Sequence, residues 1–195
     1  MDAETPRQKW DRIYREWKGP FPDAAMVLSQ NEHLLPGGGR ALDLACGLGG
    51  NALFLARRGF EVDAIDLSEA GIEALAHAAR LEGLPIHAQV GDVMEGQWSN
   101  GSYEVIVVTR FLERTLVKTI VGALKPGGLL FYQTFVKTKS SDHGPNNPRF
   151  LLHDNELIRL FDGLLIRYYR DEARTGRPDA GQRDEAFLVA QRPES

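Results

Sequence analysis

The chain has 195 residues, 43% of them hydrophobic and 26% charged, and its 23 basic and 27 acidic side chains give a net charge of −4. That is the composition of one ordinary globular domain, and the acidic balance argues against a dedicated nucleic-acid binder, which usually shows a basic face. A single cysteine, Cys46, excludes an intrachain disulfide and a multi-cysteine zinc site. There is no apolar run long enough for a membrane span. The charged start MDAETPRQKWDRIYREW does not resemble a secretory signal, so the cytoplasm is the expected address.

The first segment predicts two helices. Trp10, Ile13, Tyr14 and Trp17 recur at helical spacing on one face, and Gly19-Pro20 ends the run. Pro22 and Asp23 open a second helix with Met26, Val27, Leu28, Leu34 and Leu35 as its apolar positions. Together they form a helical cap over residues 1–37, ahead of a core over 40–195. In that core strands and helices alternate. Strand 41–46 is followed by a glycine turn and a helix over Asn51–Arg58 that Gly59 closes. Strand 61–66 leads to a helix with Ser68 as N-cap that runs to about Leu81, with Gly83 behind it. Strands follow at 86–90 and 103–109, then a helix over Thr115–Leu124 stopped by Lys125-Pro126-Gly127-Gly128, and a strand at 129–136.

The polar stretch 137–149 contains Gly144, Pro145 and Pro148 and predicts a long loop, of the kind that serves as a lid or binding loop or else is disordered. A helix over Asn155–Phe161, capped by Asp154, and strands 164–172 and 185–192 complete the chain, the last two joined by the loop 173–184. Strand–helix alternation implies a parallel sheet of right-handed crossovers. The closing strand–loop–strand leaves no room for a crossover helix and must be antiparallel.

The chemistry concentrates at ALDLACGLGGNALFLARRGFEVDAIDLS. Gly47 and Gly49 allow a tight turn and close approach of a ligand to the backbone. Asp66, 23 residues after Asp43, ends the next strand, where a carboxylate can accept both hydroxyls of a ribose. A dinucleotide turn would place a glycine where Ala45 stands, and Asp43 would repel a pyrophosphate. The same carboxylate suits the ammonium of an amino-acid moiety. That points to S-adenosylmethionine (SAM), which carries a ribose and an amino acid but no phosphate, and a third acid at Asp92 strengthens the case.

DLACGLGGN, AIDLS, VGDV and LKPGG, in this order and spacing from Arg40 to about Phe135, resemble the successive motifs of class I SAM-dependent methyltransferases. The LACG-x-G-x-N form, VVTRFLER and FYQTF…GPNNPRFLL are most similar to the small tellurite-resistance-type members. The resemblance implies one doubly wound α/β domain. Its seven strands run in the order 3-2-1-4-5-7-6 with strand 7 antiparallel, and SAM lies at the carboxyl ends of the first four.

It implies that Ala45, Gly47 and Gly49 form the cofactor turn and that Asp43 helps hold the amino group, often through water. Asn51 lies near the cofactor carboxylate, Asp66 takes the ribose, and Leu67 packs on the adenine. Asp92 accepts from the adenine amino group, beside a backbone contact from Val93. Thr109, Arg110 and Phe111 lie near the methionine part and the reacting methyl. The product would be S-adenosylhomocysteine.

Plainer roles compete. Asp43 can cap the following helix, Asp66 and Asp92 can be ordinary strand-end acids, and Cys46 is a packing residue. The aromatic stripe can be core, or Tyr14 and Trp10 can wall the sulfonium. Arg110 and Arg114 lie one turn apart if their segment is helical, and can bind an anionic substrate or pair with acids such as Glu113. His143 and His153 are surface or capping residues, and no cluster has metal-ligand spacing. Methyl transfer is an in-line displacement that needs alignment above all. No residue declares itself a general base, although Glu113 and His143 are candidates. The expected acceptor is therefore a small molecule that is anionic or intrinsically nucleophilic. The alternatives are an RNA or protein methyltransferase and a SAM-binding protein without transfer activity. The fourth strand is followed by Thr109-Arg110-Phe111-Leu112 and not by the Asn/Asp-Pro-Pro-aromatic run of base-methylating enzymes.

Overall fold

The computed structural model describes residues 4–96, 98–177 and 179–194. The first three residues of the expected cap, Pro178 of the 173–184 loop and the last residue of the expected core lie outside the described residues. The backbone gathers into two compact units, Met1–Trp98 and Ser99–Ser195. Seven strands form a sheet in the order β3-β2-β1-β4-β5-β7-β6, the expected order, where β1 is Gly39–Leu44, β2 Phe60–Asp66, β3 Ile86–Val90, β4 Tyr103–Thr109, β5 Leu124–Phe135, β6 Leu165–Arg170 and β7 Glu185–Gln191.

In the first unit β1 and β3 both pair parallel to β2, and Leu42, Leu44, Leu55, Phe60 and Leu75 make a fully buried core. Helix α1 spans Pro6–Glu16 and opens with a capping box between Thr5 and Gln8. None of its residues is buried, so the Trp10, Ile13, Tyr14 and Trp17 stripe is a half-covered face. Trp17 lies past the helix end, where its indole N–H donates to the Pro20 carbonyl at 2.9 Å. The second cap helix is shorter than expected. Residues 22–25 are not helical; one turn, α2 (Met26–Ser29), is followed by a 3₁₀ turn over Glu32–Leu34. The Asn31 amide donates to the Val27 carbonyl and closes the first turn, which stops it from propagating.

Helix α3 (Gly50–Ala56) follows β1, and α4 (Glu69–Glu82) follows β2. The Ser68 hydroxyl accepts from Gly71 N at the start of α4, and Gly83 ends it in the left-handed conformation. Ala45 and Cys46, expected in the first strand, belong to the turn after it. Ala45 adopts φ 54°, which breaks the extended backbone.

In the second unit β4 pairs parallel to β5, and β7 runs antiparallel to both β5 and β6. The expected helix at 115 starts as a 3₁₀ turn, Arg114–Leu116, capped by Glu113, and becomes α5 at Val117–Ala123. Lys125-Pro126-Gly127-Gly128 is not an outside turn. The strand already pairs at Leu124 with Tyr103, and the glycines lie in a register shift, where Arg192 exchanges backbone hydrogen bonds with Gly127 and Gly128. Helix α6 covers only Glu156–Leu160. Its N-cap is Asn155 at φ 59° and not Asp154, and the Glu156 side chain takes the nearby His153 N–H.

Candidate functional site

In the first unit the parallel register brings the ends of three strands to one edge. Cys46 N donates to the Ile65 carbonyl and Gly91 N to the Asp66 carbonyl. The turn 45–49 leaves β1 with three residues at positive φ, Ala45, Gly47 and Gly49. At Gly49 a Cβ would lie 2.4–2.8 Å from the fully buried Leu75 side chain, so the turn is seated directly on α4.

Two carboxylates hold this turn from inside. Asp66 Oδ2 accepts from Gly47 N at 2.8 Å and Oδ1 from Ser68 N at 2.9 Å. Asp43 is fully buried and accepts from Ala52 N at 3.1 Å and from the Asn51 amide at 3.4 Å. Burial pushes its carboxyl up to about 7, against the pull of Asn51 and Ala52. Burial raises the Asp66 carboxyl as well, and it raises the Cys46 thiol, which makes that residue a packing element. Asn51 is buried and its side-chain oxygen accepts from Ala25 N at 2.9 Å, tying the cap segment to α3.

Leu67 is half-buried, Val93 is buried, and Asp92 is half-buried with Oδ1 accepting from Met94 N at 2.8 Å. Asp92 lines a cavity of about 280 Å3 with Gln89, Gly91, Glu95 and Trp98.

Sequence reasoning missed Asp11. Its Oδ1 accepts from the Ser68 hydroxyl at 2.7 Å and from Ala70 N at 3.1 Å, and these bonds, Ser68 first, lower its carboxyl below the usual range. Asp11 thereby fastens α1 to the start of α4. Tyr14, three residues on, brings its hydroxyl within 2.7 Å of where a Gly47 Cβ would stand. Trp10 stacks on Tyr14 at 5.6 Å. So Tyr14 lies over the glycine turn.

In the second unit Thr109 ends β4, opposite Gln133 of β5. The segment after it is not helical before Arg114, so Arg110 and Arg114 do not share a face. Arg110 sits at φ 54° and donates its backbone N–H to the Gln133 carbonyl. Its Nε reaches Glu185 Oε1 at 3.0 Å. The Phe111 carbonyl accepts from the Tyr132 hydroxyl.

Arg114 is a strut and not an anion seat. It binds both oxygens of Glu156 and the carbonyls of Arg149 and Leu151. Glu113 pairs instead with Arg149 and is held below the usual carboxylate range, first by Thr115 N, so it is a poor base. Arg114→Ala should lower stability by about 2 kcal/mol, the scale of a charge-assisted network discounted for a side chain 33% exposed. An unchanged urea midpoint would refute the strut role. The 137–149 loop is tied down, with Ser140 N and Ser141 N donating to Asp184 and Lys139 to the carbonyls of His143 and Pro145. His143 is exposed and meets Phe135 edge-on.

Two buried carboxylates flank the turn, an acceptor set that fits an ammonium and ribose hydroxyls and would repel a pyrophosphate. The fold and this turn define a Rossmann-like nucleoside-binding domain of the SAM type.

Residues 41–128 match the family Methyltransf_25, a methyltransferase domain. The chain is 32% identical over 138 residues to Hemagglutinin 1 of Eikenella corrodens, 66% of this chain and 45% of that protein. It is 30% identical over 105 residues to a ubiquinone biosynthesis O-methyltransferase of Rickettsia felis, 51% of this chain and 43% of that one. The chain thus spans about half the length of the relatives it matches. Its fold is similar to that of TehB from Haemophilus influenzae, with a TM-score of 0.69 at 20% identity over 94% of this chain and 67% of that one. Residues 41–128 thus match a methyltransferase domain, and the fold of the chain is similar to that of SAM-dependent methyltransferases, whose cofactor is SAM. Among the described residues no helix is long and apolar enough to cross a membrane, and no group of His, Cys, Asp and Glu could hold a metal ion.

Proposed function

We propose that the chain moves the methyl group of SAM to a small-molecule acceptor whose reacting atom is anionic or softly nucleophilic. The pair of buried carboxylates at one glycine turn, Asp43 and Asp66, carries the cofactor half. When bound, SAM supplies an electrophilic methyl on a sulfonium. Asp43 holds the amino group through water, Asp66 takes the ribose hydroxyls, and Leu67, Asp92 and Val93 receive the adenine. Ala45, Gly47 and Gly49 let the ligand approach, Tyr14 covers the turn, and Asn51 braces it. Thr109 and Phe111 are assigned to the methionine end, and Arg110 to the acceptor.

The acceptor half rests on Arg110, whose side chain is 62% exposed. Glu113 is engaged by Thr115 and Arg149, which supports an acceptor that needs no proton removed. The name of the Rickettsia relative offers an oxygen as the reacting atom. The motifs that resemble the tellurite-resistance type favour a chalcogen oxyanion as acceptor. We place the protein in the cytoplasm, as one domain acting without nucleic-acid or membrane partners.

Isothermal titration with S-adenosylhomocysteine, with NAD as control, tests the reading. Tight binding of the first alone supports it, and no binding to folded protein overturns it. Transfer of a labelled methyl to any of a panel of thiols, oxyanions and carboxylates then separates an enzyme from a SAM-binding protein.

A further inference from the structure

Arg110, Gln133 and Glu185 close a ring of hydrogen bonds at one edge of the second unit. Arg110 N donates to the Gln133 carbonyl, the Gln133 amide donates to Glu185 Oε2, and Glu185 Oε1 accepts from Arg110 Nε at 3.0 Å. Gln133 and Glu185 are buried, while the arginine side chain is 62% exposed. Glu185 starts β7 opposite Phe135, the last residue of β5, so the carboxylate stands at the sheet edge where β4 and β5 end. Arg110 itself is held at φ 54°, a conformation that a non-glycine residue keeps only when its surroundings fix it.

Among the described residues the two terminal Nη nitrogens hold no hydrogen bond. The guanidinium is therefore anchored through its backbone N–H and its Nε, with its end-on edge left for a ligand. That edge carries two parallel donors, the geometry that matches two oxygens on one atom.

We infer that Glu185 is a positioning residue that fixes Arg110 as an end-on seat for an acceptor bearing a carboxylate or other oxyanion. The inference rests on the proposed methyl transfer to an anionic acceptor and adds the residue that makes Arg110 specific for it. Glu185 is not a general base here. Both of its oxygens already accept a hydrogen bond, and it is buried behind the arginine.

The two roles predict opposite mutational patterns. Glu185→Asp keeps the charge but withdraws the oxygens by one methylene, releasing Arg110. Glu185→Gln keeps an oxygen that can accept from Nε. It also removes a negative charge behind the seat. A base would tolerate the aspartate better than the amide.

The test titrates benzoate, and neutral benzamide as control, into protein saturated with S-adenosylhomocysteine. Wild type is expected to prefer benzoate. Arg110→Lys and Glu185→Asp should each weaken benzoate by about tenfold, the loss of one charge-assisted hydrogen bond. Both should leave benzamide and S-adenosylhomocysteine affinities in place, which also shows that the variants fold. The double variant should be no weaker than either single one, since both remove the same seat. Glu185→Gln should bind benzoate at least as well as wild type.

An intact benzoate affinity in Glu185→Asp, or an equal loss in Glu185→Gln, overturns the role of Glu185 alone. If wild type binds S-adenosylhomocysteine but no benzoate, the anionic acceptor falls and the seat with it. If S-adenosylhomocysteine does not bind, the cofactor assignment falls first.

Discussion

Asp66→Ala should weaken S-adenosylhomocysteine binding by ~1–3 kcal/mol, roughly 5- to 150-fold, the value of hydrogen bonds made by a charged acceptor. The carboxylate does two things at once. It takes Gly47 N and Ser68 N and so shapes the turn, and on the proposed reading its remaining lone pairs take the ribose hydroxyls. Its loss strands two backbone donors, so the ligand-free protein should also melt earlier. Asp66→Asn separates the effects. The amide keeps its size and one acceptor oxygen, so it should restore more of the melting temperature than of the affinity. A variant that loses stability but binds S-adenosylhomocysteine as wild type does would confine Asp66 to holding the turn.

What could be foreseen from the sequence follows the range of the forces involved. β3 and β4 match their expected bounds, 86–90 and 103–109, because turn residues flank short β-branched or alternating runs. Ser68 and Gly83 bracket α4 because both caps act within one turn. Where a non-glycine residue turns the chain, the local signal is silent. Ala45 and Asn155 take positive φ, so the first strand ends two residues early and α6 is capped by the residue after Asp154. The glycines after Pro126 suggest a break, but pairing of Leu124 with Tyr103 and of Gly127 and Gly128 with Arg192 outweighs their turn preference.

The same division runs through the site. Asp43 and Asp66 are legible because glycines and strand ends frame them within a short stretch. Asp11 on Ser68 and Glu185 on Arg110 join residues 57 and 75 positions apart. No spacing rule announces either pair. Arg110 and Arg114 look alike in sequence, and only their partners, Glu185 for one and Glu156 with two carbonyls for the other, give them different work.

Cofactor affinity should depend on pH through Asp43. Burial raises its carboxyl from 3.8 to about 7, with a smaller push from the Asp66 charge and an opposing pull from Asn51 and Ala52. The folded chain therefore binds this proton more tightly than the unfolded one. Its stabilising contribution is complete below about pH 4 and is lost as pH rises towards 7, at most about 4 kcal/mol over that window.

Ligand binding has the opposite slope. An ammonium held by Asp43 favours the ionised form, so binding releases a proton wherever the free protein holds one. Affinity for S-adenosylhomocysteine should climb with pH up to about 7 and then level. Asp43→Asn keeps the size of the side chain, removes the titration, and should flatten both profiles while lowering affinity by roughly tenfold at pH 8. Calorimetry in buffers of different ionisation enthalpy would count the proton released. A wild-type affinity that stays flat between roughly pH 5.5 and 8, with no proton released, would leave Asp43 only the hydrogen bonds that start α3.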